Sequence, residues 1–391
     1  MPILILSTLL CISALAILTW LHNQHHLDIL AEPCPPPGDD APLISVIVPA
    51  RNEERNIGEC VAGLLDQTYP HYEVIVVDDR STDATLEILV SIRSATRPAD
   101  KLKIIHGVDL PPGWAGKPHA LTQGAEAARG EWLLFVDADT FLTPEALSAA
   151  HAKAVQTGAD LFTVLTRQVM LSFWERTLLP LVMTALSTGF SPRKVNDPDR
   201  KEAIANGQFI FIKRSVYDAT GGHAAIKGSI VEDKDLAVLV KGRGYRLVLA
   251  DGQQIAATRM YTSLPEMWEG WTKNIYLGLK DNIGLVVLGV FGAFLAVITA
   301  LGLPLWLGAG IAWLTVAGPS SGALGVVVEA ALVWGYLIFW RVTASRAMGV
   351  PGWYALTTPL GAAVFAAMML ASAWNVLSGR GVTWKGRTYV R

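Results

Sequence analysis

Apolar and polar positions alternate in three regimes along the chain. Residues 1–22 contain an uncharged run from Pro2 to Leu21, ILILSTLLCISALAILTWL, long enough to cross a bilayer as a helix. No basic segment precedes it and no small-residue cleavage site follows before HNQHH, so it predicts a retained anchor rather than a cleaved signal peptide. Residues 23–42, with the Pro-rich AEPCPPPGDDAP, read as a linker. From Leu43 to about residue 265, short apolar runs alternate with segments of helical spacing, which predicts an α/β domain with a mainly parallel sheet. LISVIVPA, YEVIVVDD, KLKIIHG and EWLLFVDAD read as strands. RNEERNIGECVAGLLDQ, STDATLEILVSI (capped by Ser81 or Thr82) and GKPHALTQGAEAAR read as the helices between them.

Within that domain, residues 170–192 hold FWERTLLPLVMTALSTGF, an aromatic-rich apolar segment broken by Pro180, suited to a membrane interface or to a buried core. An amphipathic connector, 266–282, leads to apolar blocks over 283–378: Ile283 to Ala317 with Pro304 inside it, Leu324 to Trp340, and Tyr354 to Leu377. They predict three or four transmembrane helices, followed by a basic tail, 379–391. Arg341 and Arg346 follow the second block, and Arg380, Lys385, Arg387 and Arg391 the third, so charge alone does not fix the topology. Glu329 lies inside the second block and is either functional or a packing group.

A composition of 51% hydrophobic and 17% charged over 391 residues is too apolar for an ordinary soluble enzyme and agrees with partial burial in a membrane. A net charge of -2, with no basic stripe, argues against a nucleic-acid partner. Cys11, Cys34 and Cys60 lack metal-ligand spacing and are odd in number, as expected in a reducing compartment.

Three strand ends carry polar clusters: Arg51 to Glu54, Asp78 to Asp83, and Asp137 to Asp139. Carboxyl edges of parallel strands are where α/β folds bind nucleotides. Strand alternation would point Asp137 and Asp139 the same way, a hard-oxygen pair suited to Mg²⁺ or Mn²⁺ with substrate phosphates completing the shell. The competing reading is a turn Asp beside a helix introduced by Thr140 and Pro144.

VIVPARNEE, VVDDRSTDAT, WAGKPHAL, FVDADT and VEDKDLA, in that order, resemble the family 2 glycosyltransferases over roughly Leu43 to Met260. GWAGKPHAL, GQFIFIKRSVYDATGGH, RMY and WEGWTKN more narrowly resemble the hopene-associated glycosyltransferases of bacterial hopanoid gene clusters. The resemblance implies a GT-A fold and a nucleotide-sugar site lined by Pro49, Ala50, Glu53, Asp78, Asp79, Lys117 and Asp137. Asp78 or Asp79 would accept the uracil N–H, although one of them could instead cap the next helix. Glu53 could equally be a first-turn helix acid. Lys117 would face the diphosphate, or else be a solvated lysine. Trp114 is a stacking platform or a core ring.

The same resemblance makes Asp139, with Asp137, the metal ligand, and Asp233 the base that removes the acceptor proton, giving inversion. Asp235 beside it reads as a first-turn helix acid. Asn206, Gly207, Glu232, Trp271 and Lys273 fall in the implied acceptor region, and His223 is taken as structural. Where processive relatives carry Gln-X-X-Arg-Trp, this chain has Trp268, Gly270, Trp271, Lys273 and Asn274. Transfer of one sugar from a UDP-sugar to a membrane lipid, a hopanoid or polyprenoid, is the simplest expectation. The enzyme would sit as a multi-pass protein in a bacterial inner membrane with its catalytic domain in the cytosol. A polysaccharide synthase with a degenerate acceptor motif, or a non-catalytic nucleotide-binding scaffold, are the alternatives.

Overall fold

The computed structural model describes residues 27–98, 101–189, 191–279, 287, 302, 304–316, 318, 321–380, 382–384 and 387–389. Two compact units emerge, one of residues 26–169 and 190–260, the other of 170–189 and 261–391, each as far as its residues are described. The predicted anchor, residues 1–22, lies outside the described residues.

In the first unit the strands are β1 (Ile44–Ala50), β2 (Tyr72–Asp78), β3 (Leu102–His106), β4 (Trp132–Phe135), β5 (Thr140–Leu142), β6 (Leu161–Leu165), β7 (Arg167–Gln168), β8 (Ile210–Lys213), β9 (Leu247–Asp251) and β10 (Ala256–Thr258). Seven form one sheet in the order β3-β2-β1-β4-β8-β6-β9, and a smaller sheet runs β5-β10-β7. Only β8 breaks the parallel run of the large sheet, pairing antiparallel with both β4 and β6. The period-two alternation of these strands divides the core into two layers. Val46, Val48, Val74, Val76 and Leu134 pack with Ile57, Val61, Leu64 and Leu89 of the helices on one face. Ile47, Ile75, Val77, Leu133 and Phe135 pack with Ala120 and Leu121 on the other. Both faces being covered, the strands read as nearly continuous apolar runs.

The structure corrects the predicted boundaries in several places. The first helix spans Ile57–Leu65 rather than starting at Arg51, because Glu53 sits in the turn ahead of it, its backbone N–H donating 2.8 Å to Thr85 Oγ1. The next spans Thr85–Ala95, and Asp83, not Ser81 or Thr82, accepts the Thr85 N–H at 3.1 Å. Ser81 Oγ instead accepts the Asn52 N–H. Strand pairing stops at Phe135, so Asp139 lies in a turn closed by the Thr140 N–H on the Asp137 carbonyl at 3.0 Å. Thr140–Leu142 is a strand, and the following helix starts at Ala146. Part of the predicted linker packs down: Ala31 is buried and donates its N–H to the Asp251 carbonyl at 2.7 Å.

The second unit is helical. Phe173–Gly189, Leu264–Leu279, Ser321–Ala347 and Thr358–Ser378 are α-helices, with a 3₁₀ turn at Gly352–Thr357 and a short hairpin, Val382–Trp384 with Arg387–Tyr389. Gly322–Ala347 and Gly352–Asn375 are long and apolar enough to cross a membrane. Of the block Ile283 to Ala317, Pro304–Val316 is an apolar helix among the described residues, and most of the remainder lies outside them. Of the basic tail, Lys385 and Arg391 lie outside them too.

Two readings of this unit change. Pro180 does not break its segment but sits inside a continuous helix. Lacking an N–H, it cannot bond the Arg176 carbonyl one turn back. Arg341, which looked like a flanking charge, is instead buried within its helix. Its Nη2 lies 3.5 Å from the carbonyls of Arg176 and Thr177, and its Nη1 donates to Ser345 Oγ at 2.9 Å.

Candidate active site

The carboxyl ends of β1, β2 and β4 lie side by side. Ala50 pairs with Asp78 and Ile47 with Phe135, so Pro49–Asn52, Asp78–Asp79 and Asp137–Asp139 share one edge. Ala50 accepts the Asp79 N–H through its carbonyl at 2.7 Å. Arg51 Nη1 donates to the Asp79 carbonyl at 2.7 Å, tying the two strand ends together. Asp78 and Asp79 are both buried. Asp78 Oδ1 accepts the Ser81 N–H at 3.3 Å, a turn contact rather than a helix cap, and Asp79 Oδ1 is 3.6 Å from Arg80 Nε.

Onto this edge the helix Gly116–Ala127 projects Lys117 from its first turn, and the helix Glu232–Gly242 projects Glu232 and Asp233 from its own. Lys117 Nζ bridges Asp137 Oδ1 at 2.6 Å and Glu232 Oε1 at 2.7 Å. Asp233 Oδ2 accepts the Gly207 N–H at 3.1 Å, and its Oδ1 the Lys234 N–H at 2.7 Å. A Cβ built on Gly207 would stand 3.2 Å from Asp233 Oδ2 and 3.3 Å from Lys117 Nζ, so glycine leaves room where the two charges converge. Asn206 orients this loop, its N–H donating to Thr163 Oγ1 and its Nδ2 to the Val164 carbonyl, both at 2.9 Å.

One ammonium serves three carboxylates. Burial opposes the charge of Lys117, but Asp137 and Glu232 outweigh it and hold the amine well above the ordinary lysine range. Glu232 gains the larger share: burial raises its carboxyl, yet the Lys117 charge and hydrogen bond bring it below the usual value. Asp137 is left raised, by burial and by the neighbouring Glu232 charge. Asp233 is pushed up to about 6, first by burial and then by Glu232, with Lys117 pulling the other way. A carboxylate that titrates there can take a proton near neutral pH.

Sequence reasoning placed Glu232 with the acceptor; the structure makes it the buried partner of Lys117. Trp114 is half-buried with its ring edge-on to His119 at 5.2 Å. Asp235 accepts from Ser229 Oγ at 2.6 Å, away from the charge cluster. His223 is fully buried against the Phe135 ring, bonded through Nδ1 to Tyr217 Oη at 3.0 Å, and burial drives its imidazole down to about 4, so it stays neutral. Trp271 and Lys273 belong to the helix Leu264–Leu279 of the other unit, where the Trp271 ring is buried 6.0 Å from that of Tyr261.

Among the described residues no three His, Cys, Asp or Glu side chains gather as a metal cage. Asp137 and Asp139, both half-buried, are a hard-oxygen pair of the size Mg²⁺ or Mn²⁺ uses when phosphates and water complete its shell. Carboxylate oxygens are the donor type such an ion takes, and Asp137 already pairs with Lys117 through Oδ1.

Residues 45–221 match the family model Glycosyl transferase family 2. The chain is 29% identical to the 4,4'-diaponeurosporenoate glycosyltransferase of Staphylococcus aureus over 264 residues, covering 65% of this chain and 68% of that one. Among solved structures, the mannosyltransferase PcManGT from Pyrobaculum calidifontis, in complex with GDP-Man and Mn²⁺, aligns with a TM-score of 0.53 at 19% identity over 96% of this chain and 98% of that one. The crystal structure of S. aureus TarS aligns at a TM-score of 0.39 and 22% identity over 59% of this chain, which spans 38% of that protein. The α/β unit therefore has the GT-A fold, with its mainly parallel sheet.

Proposed function

Because the chain is a family 2 glycosyltransferase, we propose that it moves one sugar from a UDP-sugar to a membrane lipid of the polyprenoid class, hopanoids included, inverting the sugar carbon. The observation that carries this is the convergence of Lys117, Asp137, Glu232 and Asp233 beside the nucleotide-binding edge. Asp78 or Asp79 accepts the uracil N–H, with Pro49, Ala50 and Glu53 along the uridine. Lys117 offsets charge on the departing diphosphate. Asp233, high enough to accept a proton, removes it from the acceptor hydroxyl as that oxygen attacks. Asp139 and Asp137 would hold the divalent ion, which supplies Lewis-acid neutralisation of the diphosphate when bound.

A lipid acceptor is supported by the two apolar helices, Gly322–Ala347 and Gly352–Asn375, and by the name of the S. aureus relative. Single transfer is supported by the absence of a Gln-X-X-Arg-Trp sequence from the connector. On this reading the enzyme sits at a bacterial inner membrane with its catalytic unit in the cytosol, where nucleotide sugars are made.

Lipid profiling of a deletion strain beside its complemented parent tests this reading. One glycolipid should vanish and return with the gene. Loss of a polysaccharide would favour the processive alternative, and an unchanged profile would overturn lipid glycosylation.

Metal dependence is tested separately. Calorimetric titration of UDP with Mn²⁺ should give an affinity at least about tenfold above that measured with chelator, the scale of a lost contact to a charged group. Asp139→Asn should show the same loss in Mn²⁺ with an unchanged melting temperature. Equal affinity with and without metal would remove the ion from the mechanism.

A further inference from the structure

Between the two sheets of the α/β unit runs a buried polar chain that the mechanism above does not use. Thr140, Thr166, Gln208 and Thr258 are buried at 0%, 6%, 4% and 0% exposure. Thr166 Oγ1 donates to Gln208 Oε1, an oxygen also approached by Asn206 Nδ2 at 3.3 Å and Gln168 Nε2 at 3.4 Å. Thr258 Oγ1 lies 3.4 Å from Thr166 Oγ1, and Thr140 Oγ1 lies 3.2 Å from Thr258 Oγ1.

The direction of the chain follows from proton counting. An amide oxygen only accepts, so the single Thr166 proton is committed to Gln208. Thr166 can therefore only accept from Thr258, and Thr258 only from Thr140. Every hydroxyl proton runs toward Gln208.

Its two ends are the two loops of the site. Thr140 closes the turn of Asp137 and Asp139 through its N–H on the Asp137 carbonyl. At the other end Asn206 and Gln208 flank Gly207, whose N–H holds Asp233. The fold itself does not call for hydroxyls here. Thr140 and Thr258 are register partners in the small sheet, and valine has the same shape and an equal preference for strands. Burying hydroxyls between sheets costs free energy unless each is bonded, and here each is.

We infer that the Thr140–Thr258–Thr166–Gln208 chain positions the Asp137–Asp139 turn against the Gly207 loop, fixing the spacing between the leaving-group carboxylates and the base. Thr166, buried between Thr258 and Gln208, is a positioning residue. This inference rests on Asp233 being the base. A misplacement of about 1 Å between reacting groups can lower a rate on the order of 10²-fold while binding is kept.

The test uses full-length enzyme in membranes of the complemented deletion strain, supplied with that strain's own nucleotide-sugar extract. Rates of glycolipid formation are compared at equal amounts of folded protein, and UDP affinity is measured in Mn²⁺. Thr166→Val should lose about 10- to 100-fold in rate with UDP affinity within about threefold, and Thr166→Ser, which restores the hydroxyl, should return to within about threefold of wild type. Thr258→Val, which leaves the Thr166–Gln208 bond intact but detaches Thr140, should fall about tenfold by the same split and decides the matter if Thr166→Val does not fold. A folded valine variant at normal rate, or a serine variant as slow as the valine one, overturns the positioning role. Asp233→Asn in the same assay separates the two ideas: normal turnover there removes the base reading, whereas an inactive Asp233→Asn beside a normal Thr166→Val removes only the chain.

Discussion

Asp233→Asn is expected to abolish turnover by about 10² to 10⁴ while UDP affinity stays within a few-fold of wild type. The carboxylate acts on the acceptor proton, and its charge matters in the transition state more than in the donor complex. Wild-type kcat/KM should fall as the pH drops below about 6, because the base must be ionised and its carboxyl is raised to about 6 by burial and by Glu232. The sign for stability runs opposite to that of a salt-bridged acid. A carboxyl raised in the folded state favours folding below its ordinary value, and that contribution is lost as the pH rises through about 6. Asparagine carries no such charge, so the variant should melt no lower than wild type at pH 8. If Asp233 were merely a first-turn helix acid, its loss would cost about 0.3 to 1 kcal/mol and leave turnover nearly normal. Transfer rate, UDP calorimetry and melting curves on one preparation decide between them, and a folded variant with near wild-type turnover would sink the base assignment.

Lys117→Met should lower UDP affinity by about 10- to 100-fold, the scale of a contact between charged groups. It should also destabilise the protein even without ligand, because Asp137 and Glu232 would face each other with no ammonium between them. Removing one partner of a fully buried ion pair costs about 3–5 kcal/mol. The Lys117 and Asp137 side chains keep 35% and 25% of their exposure, so solvent screening brings the expected loss to roughly 1–2 kcal/mol. Its pH dependence identifies the cause. In wild type Glu232 lies below its ordinary value, so its contribution is present at neutral pH and lost as the pH falls through that lowered value. Without the lysine both carboxyls rise, and the variant loses stability as the pH increases. The gap in melting temperature between wild type and Lys117→Met should therefore widen from pH 5 to pH 8. An equal gap at both, together with UDP affinity within twofold, would reduce Lys117 to a surface cation.

Much of the fold was legible because its signals are local. The alternation in ISVIVPA and YEVIVVD sends successive side chains to opposite faces, and the structure sorts them into two core layers in that manner. The polar clusters after β1, β2 and β4 could be placed at one edge because parallel strands joined by helices align their carboxyl ends. Other features were set by contacts between distant segments. Whether Asp139 sat on a strand or in a turn depended on Thr140 finding Thr258 as its partner, 118 positions away. That Lys117 would bridge Glu232 as well as Asp137 depended on the helix Glu232–Gly242 reaching the same edge. Arg341 looked like a flanking charge until the helix that contains Pro180 came within its reach. By itself the sequence determined β1 to β4, the helices between them and the edge that their polar ends share, since backbone periodicity is written in adjacent residues. Only the tertiary structure decided which charges share one ammonium and which hydroxyls form a chain, because those pairings follow from strand order and the insertion of β8 antiparallel between β4 and β6.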